Sequence, residues 1–535
     1  MKARPPALML QGTASGVGKS VLTAGLVRLF ARRGLVVRPF KAQNIALNAH
    51  VCADGGEIGR AQAVQAAAAG IEPSTAMNPL LLKATGDECQ VVLRGRALSR
   101  ADAVRFWADR AIGWRAITDA YAEVADGADL VVIEGAGSPA EPNLMDRDWT
   151  NMRMAAHAEA AVLLVGDIER GGVFAHLRGT LDWLPAEDRA RVVGLVINRL
   201  RGDAAGLTPA VAALEQACGV PVAGIVPFLD GHRLPDEDGL ALAERSRIDD
   251  ERPAEDSAGL GACDVLSVVR LPHLSNHDEF DGLGRGGRAS SAERPGARVR
   301  FVETPAELAG LSEDWGMEED ADPARAGRAR HWLVLPGTKA TRADLEWLRA
   351  AGWPAALDGH LAAGGHVLGV CGGYQLLGGE VRDSAGVEGR PGSAHGLGLL
   401  PVDTRFHEAK RTWRAVVDGV ELYQIHHGRV QVRVGAAGSP AVTFADPEGG
   451  PPVADGWRVG RVWGTTLHGA VGRVLAAAAR GAGEAPAPSR LAGSAAAGEQ
   501  PSGGSWSSTL EAALDGWADH VDAAFDITAL LRTLG

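Results

Sequence analysis

The sequence predicts an α/β protein built from two successive strand–helix series, the first a doubly wound, mostly parallel sheet. Three observations predict it. In the first half, apolar runs at Ala7–Leu10, Val36–Phe40, Leu130–Ile133, Val162–Val165, Val193–Ile197 and Val222–Ile225 alternate with helical stretches, the pattern of a parallel sheet covered on both faces. A second series, Val265–Arg270, Trp332–Leu335, His366–Val370 and Arg461–Trp463, follows a polar, aperiodic stretch around Arg245–Leu260. Each series also contains a strand that runs into a glycine-flanked turn and then a helix, at Gly12–Ser20 and around Cys371.

The first such turn opens the chain. Ala7–Leu10 reads as a buried strand, Gly12-Thr13-Ala14-Ser15-Gly16-Val17-Gly18 as a loop, and Lys19 onward as a helix with Val21, Leu22, Ala24, Leu26, Val27 and Phe30 in apolar periodicity. Small residues let backbone N–H groups close around phosphate oxygens. A helix N-terminus and Lys19 supply positive charge there, and the Ser20 hydroxyl can hold Mg²⁺. The first glycine stands one position earlier than the usual phosphate loop places it. Gly12, Thr13, Ser15, Gly18, Lys19 and Ser20 are the candidate nucleotide-binding residues.

The next strand ends in Lys41-Ala42-Gln43-Asn44, where Lys41 can neutralise a phosphate or an acyl phosphate. Asp54-Gly55-Gly56-Glu57-Ile58-Gly59-Arg60-Ala61-Gln62 follows. The strand at Leu130–Ile133 ends in Glu134-Gly135-Ala136-Gly137, which places Glu134 to reach the metal near Ser20, with Glu57 or Asp54 as a further ligand. Asp167 and Asn198 end the next two strands. The Asn198 amide is placed either to read a base edge or to cap a helix.

In the second series, Gly364-Gly365-His366-Val367-Leu368-Gly369-Val370-Cys371-Gly372-Gly373 is the strand–nucleophile–helix arrangement. Glycines on both sides permit a strained turn that exposes the sulfur. The helix start favours thiolate, and adjacent N–H groups can form an oxyanion hole. Such a thiolate needs a base. His468, just after Val462–Trp463, is the candidate, and His426-His427 is the competing pair. These features divide the chain into a nucleotide-binding domain over 1–245, a linker over 246–261 and a nucleophile domain over 262–475 with an exposed loop at 282–297. A low-complexity, disordered insert over 476–508 and a helical segment over 509–535 complete it.

Bulk properties bound the partners. The net charge of −12 argues against a broad nucleic-acid-binding face. No run of about 18 apolar residues is present, so no membrane span is expected. The five cysteines are scattered without CxxC spacing, and no signal segment is apparent, so a reducing cytoplasm is the expected location.

Taken in order, Gln11-Gly12-Thr13 through Gly18-Lys19-Ser20, Phe40–Asn44, Asp54–Gln62, Glu134–Glu141 with Asp146-Arg147-Asp148, Gly166-Asp167-Ile168 with Arg170–Phe174, Leu335–Thr341, Cys371-Gly372-Gly373-Tyr374-Gln375 and Leu467-His468-Gly469 resemble the cobyric acid synthase family. These are glutamine-dependent amidotransferases of vitamin B12 synthesis, and the likeness spans nearly the whole chain. The resemblance implies a dethiobiotin-synthetase-like P-loop domain followed by a class I glutamine amidotransferase α/β domain. It implies ATP and Mg²⁺, glutamine, and a corrinoid, with amidation of the b, d, e and g carboxylates of adenosylcobyrinic acid a,c-diamide. It matches Cys371 to the nucleophile and His468 to its partner. Two related alternatives are cobyrinic acid a,c-diamide synthase, favoured less by the Lys41–Asn44 and Glu57–Arg60 segments, and a partition-type ATPase, whose signature Lys is replaced by Ala14. Most class I amidotransferases carry His-x-Glu. Here Gly469-Ala470 follows His468, as in cobyric and cobyrinic acid synthases, and nothing local orients the imidazole. The residues after Gly469 also depart from the Leu-Phe and acid usual in the family.

Overall fold

The computed structural model describes residues 4–85, 88–229, 234, 264–280, 283, 297–308, 330–417, 420–444, 451–480 and 508–534. The expected linker at 246–261, nearly all of the loop at 282–297 and residues 481–507 of the expected insert lie outside them. The described residues form two compact units: 4–83, 89–234 and 508–534 make up the first, and those between 264 and 480 the second.

The first unit is a six-stranded parallel sheet of β1 (Ala7–Gly12), β2 (Val37–Phe40), β3 (Leu130–Glu134), β4 (Ala161–Asp167), β5 (Val192–Leu200) and β6 (Val222–Pro227), in the order β6-β5-β4-β1-β3-β2. Leu8, Met9 and Leu10 have no exposed surface, because β1 is central and covered on both faces. The chain leaves β1 toward β2 on one side and later returns to β4 on the other. The order therefore reverses at β1, and the carboxyl end of β1 is where a doubly wound sheet binds its ligand. Helix α1 (Lys19–Arg32) starts there, and α2 (Arg60–Ala68) packs beside it.

Between β2 and β3 the chain also forms short strands that the apolar-run pattern does not reveal, among them Gln43–Ile45, Glu57–Gly59 and the hairpin partners Glu88–Leu93 and Arg96–Ala97. They are brief and carry polar residues, so no continuous apolar run marks them.

The second unit has β7 (Asp264–Val269), β8 (Ala297–Val302), β9 (His331–Leu335) and β10 (His366–Val370) in one sheet, joined much later in the chain by β13 (Val462–Thr465). The order is β8-β7-β9-β10-β13, all parallel, and Trp457–Val459 pairs antiparallel on the outer edge. The longest of the strands between β10 and β13 are β11 (Val402–Val417) and β12 (Val420–Val432), an antiparallel pair absent from the sequence expectation. Its strands mix Glu, Lys, Arg and His with Val, Trp and Phe, because they are only partly buried. Helix α3 (Gly372–Leu377) leaves β10. Helix α4 (Val471–Arg480) runs five residues into the expected insert, where Ala477-Ala478-Ala479 prolong a strongly helix-forming run.

The chain end returns to the first unit. Helix α5 (Ser508–Ala524) lies along α1, and helix α6 (Ile527–Leu534) follows it. Leu514, Trp517, Ala518 and Val521 are buried in the same apolar cluster as Leu22, Leu26 and Phe30. A Cβ on Gly25 would come within 2.7 Å of Val521 Cγ2 and 2.8 Å of Trp517 Cδ1, so glycine is what permits this close helix approach.

Candidate active site

In the first unit, the functional side chains stand at the carboxyl ends of β1, β2, β3 and β5. Gly12 ends β1, and a Cβ there would meet Val17 Cγ2 at 2.7 Å, Lys19 Nζ at 2.8 Å and the Ala14 oxygen at 2.9 Å. A side chain at this position would therefore push the loop and Lys19 out of place, and glycine is what lets the loop close so tightly. Thr13 N–H donates to the Val165 carbonyl at 2.9 Å, pinning the loop to β4. Ser15 and Gly16 are exposed on its outer side. Lys19 Nζ lies across the loop, donating to the carbonyls of Ala14 at 2.9 Å and Gly137 at 3.1 Å. Asn198 Nδ2 donates to the Val17 carbonyl at 2.8 Å, so this amide braces the loop from β5.

Glu134 is the hub. Its Oε1 accepts from Ser20 Oγ at 2.7 Å and Lys41 Nζ at 2.8 Å, and its Oε2 accepts from Gln65 Nε2 at 2.6 Å and Gln62 Nε2 at 3.3 Å. Burial pushes this carboxyl up. The Lys41 charge, with hydrogen bonds from Lys41, Ser20 and Gln65, outweighs burial and holds it below the usual carboxylate range. Glu134 is therefore ionised. It joins Ser20 as the pair of hard oxygen donors that suits a divalent cation. Glu57 is also buried, ion-paired to Lys83 at 2.6 Å. Asp54 caps its own turn through Gly56 N–H at 2.9 Å and accepts from Thr75 Oγ1 at 3.1 Å. Lys83 and Gln65 escaped the sequence reading. Gln62 and Gln65, one helical turn apart on α2, were the available signal: two amides in an otherwise alanine-rich stretch.

In the second unit, four strand ends converge. Cys371 follows β10 with φ +51° and ψ −108°, a strained conformation for a residue with a Cβ. Its N–H donates to the Thr465 carbonyl at 2.8 Å, and α3 begins at the next residue. A Cβ on Gly373 would sit 1.8 Å from the Leu335 oxygen, so the turn packs directly on the end of β9. His468, three residues beyond β13, is fully buried, and Cys371 is one of the groups that raise its proton affinity. Its Nδ1 donates to Glu279 Oε1 at 2.7 Å, and Glu279 Oε2 accepts from Gly469 N–H at 3.2 Å. The Tyr423 ring stacks on the imidazole at 4.8 Å, and backbone hydrogen bonds in both directions join Tyr423 to His468.

Glu279 is the residue that sequence reasoning missed. It lies 189 positions before His468, in the short helical turn His277–Phe280 after β7. Only the sheet order brings it across. Its signal was an acid in the connection after a strand, ten residues past Val269, which is common. Burial pushes the imidazole down. The charges of Glu279 and Cys371, with the hydrogen bond to Glu279, reverse that and push His468 up to about 10. His468 is thus an imidazolium at neutral pH. The competing pair is engaged elsewhere: His426 Nδ1 meets the Gly428 carbonyl at 2.6 Å, and His427 Nδ1 meets the His407 carbonyl at 3.0 Å. Burial pushes His426 down to about 4, so it is neutral. Beside the elbow, Gln375 Oε1 accepts from Thr341 Oγ1 at 3.2 Å, and Thr341 N–H donates to Glu388 at 2.9 Å.

This constellation can attack an amide with sulfur in one unit and transfer a phosphoryl group in the other. The sequence matches the profile of the CobQ/CobB/MinD/ParA nucleotide binding domain over residues 8–240 and that of the CobB/CobQ-like glutamine amidotransferase domain over residues 265–474. A cobyric acid synthase of Sorangium cellulosum is 43% identical over 489 residues, covering 86% of this chain and 87% of its own. One of Chloroflexus aurantiacus is 42% identical over 478 residues, covering 87% and 89%. One of Gloeobacter violaceus is 44% identical over 472 residues, covering 86% of each chain. Among the described residues, no helix is long and apolar enough to cross a membrane.

Proposed function

The chain belongs to the cobyric acid synthase family, and we propose that it amidates the b, d, e and g side-chain carboxylates of adenosylcobyrinic acid a,c-diamide, consuming ATP and glutamine and giving adenosylcobyric acid. As a member it is a glutamine-hydrolysing carbon–nitrogen ligase of cobalamin biosynthesis. The observation that carries the mechanism is the Cys371–His468–Glu279 line in a unit separate from the Lys19–Ser20–Glu134–Lys41 cluster.

The Cys371 sulfur attacks the side-chain amide carbon of glutamine. The protonated His468 balances negative charge on the sulfur and gives a proton to the departing ammonia, leaving a thioester that water cleaves to glutamate. Glu279 holds the imidazole by its Nδ1–H, which points Nε2 at the reaction. N–H groups in the first turn of α3, which lack intrahelical acceptors, steady the oxyanion.

In the first unit a corrinoid carboxylate oxygen attacks the γ-phosphorus of ATP, giving an acyl phosphate and ADP. Ammonia then attacks the acyl carbon and phosphate leaves. An unactivated carboxylate has no adequate leaving group, and phosphorylation supplies one. The loop from Gly12 to Gly18 takes the phosphates. Lys19 exchanges its carbonyl partners for them, Lys41 faces the acyl phosphate, and the Asn198 oxygen accepts from the adenine amino group. Ser20 and Glu134 would hold Mg²⁺, which supplies charge neutralisation on the phosphates. The charge of Glu57 is matched by Lys83, so the ion is assigned to Ser20 and Glu134.

The test is a single substitution read with two nitrogen sources. Cys371→Ser is expected to lose glutamine-dependent amidation and keep activity with ammonium. Product mass spectra should show four amidations, where a,c-diamide synthesis would show two. Equal loss with both nitrogen sources would sink the two-site mechanism.

A further inference from the structure

We propose that the exposed surface made by the helix Arg100–Ala108, the start of the helix Arg110–Ala125 and the turn 144–153 is the face on which the corrinoid ring lies; this rests on the function proposed above. Val104 (68% exposed), Trp107 (44%), Ile112 (41%) and Leu144 (51%) are large apolar side chains left in water within this one stretch of the first unit. Val104 and Trp107 are three positions apart, so they share one helix face. Phe106 is buried beneath, 6.0 Å from the Trp149 ring, and ties this helix to the turn.

Cations frame the apolar patch. The Arg110 guanidinium stacks over Trp149 at 4.5 Å and donates to the Arg147 carbonyl, and Arg153 stacks over Trp114 at 4.1 Å. Burial, and next the charges of Arg147 and Arg153, push Arg110 below its usual value, a sign that three cations crowd one place. The neighbouring acids are largely engaged. Asp148 accepts from Thr150 N–H at 2.7 Å and Asn151 Nδ2 at 2.8 Å, and Asp109 caps Ala111 N–H at 3.0 Å. Asp146 is the exposed acid of the turn.

The patch is continuous with the reaction centre. Trp149 Nε1 donates to Gln43 Oε1 at 2.6 Å, two residues from Lys41, and Asn151 Nδ2 donates to the carbonyl of Ala136, two residues from Glu134. The substrate is a broad, largely apolar macrocycle rimmed with carboxylates, and four of these must reach one acyl-phosphate position in turn. Apolar contact has no direction, so a ring held this way can re-seat between turnovers. Arginines around it hold whichever acids are not reacting.

The experiment measures KM for adenosylcobyrinic acid a,c-diamide and for ATP, alongside glutamine hydrolysis, in the full-length enzyme. Arg147→Gln/Arg153→Gln and Trp107→Ala are each expected to raise the corrinoid KM about tenfold, with ATP KM and glutamine hydrolysis near wild type. Asp146→Asn should lower the corrinoid KM. Trp183→Ala, which removes an exposed tryptophan elsewhere in the unit, should leave it unchanged. A corrinoid KM that stays at the wild-type value in both the arginine and the Trp107 variants overturns the assignment while leaving the proposed reaction intact. A wild-type enzyme that does not amidate the corrinoid overturns both.

Discussion

Cys371 needs two things that its neighbours in sequence do not supply: a cation to balance thiolate and a carboxylate to fix that cation. His468 is the first and Glu279 the second, at 2.7 Å and wholly out of water. Removing the carboxylate charge lowers the proton affinity of the imidazole and frees its ring to turn. Glu279→Gln is expected to cut glutamine hydrolysis by about a hundredfold to ten-thousandfold, to shift the basic limb of its pH profile downward, and to spare ammonium-driven amidation. The same pair also stabilises the fold. Because the folded value is raised, that stabilisation is complete below the ordinary 6.5 and is lost as pH climbs from there to about 10. Melting of the glutaminase unit should weaken across that window in the native enzyme and vary less in Glu279→Gln. Equal slopes in the two proteins would contradict it.

At the scale of elements, the contact between α1 and α5 sets the helix that carries Lys19 and Ser20. Arg28 pairs with Glu511 and Asp515, Arg32 with Asp519 and Arg33 with Asp522, all at 2.7–2.8 Å. These pairs are partly exposed, so each contributes about 0.2–1 kcal/mol, whereas burying one large apolar side chain contributes about 1.5–3 kcal/mol. Apolar burial therefore sets the strength of the contact, and the charges set its register. Trp517 is the largest side chain α5 buries here, and it donates to the Val21 carbonyl at 2.6 Å. Trp517→Ala should destabilise the nucleotide unit by about 3–5 kcal/mol in denaturant titrations, and Asp519→Asn by less than about 1 kcal/mol. The helical character of the last segment was legible from its periodicity. Its partner was not, because the matching cations lie nearly 500 residues upstream and periodicity does not name a partner.

For the whole molecule, two chemistries on one chain predict separable defects. Gly12→Ala places a methyl group within 2.7–2.9 Å of Val17, Lys19 and Ala14, where the phosphates are expected. It should weaken ATP binding at least about tenfold and stop amidation with either nitrogen source, while glutamine is still hydrolysed. Cys371→Ser should show the converse. Assays of ATP turnover, glutamate release and product mass on the two variants check this, and loss of both activities in either variant would contradict independent active sites.

Ten apolar runs, the phosphate loop and the cysteine elbow were readable from the sequence, because each is written in consecutive residues: a strand buried on both faces is apolar throughout, and a tight turn needs glycine where a Cβ would collide. Tertiary structure alone supplied Glu279 for His468, Gln65 and Lys41 for Glu134, Lys83 for Glu57, and α5 for α1. It also supplied the ribbon of β11 and β12, whose half-buried strands carry no continuous apolar signal. These are pairings between distant segments. Parallel sheet order and the gathering of strand ends at one edge of each sheet decide them, and a linear pattern does not record which ends will meet.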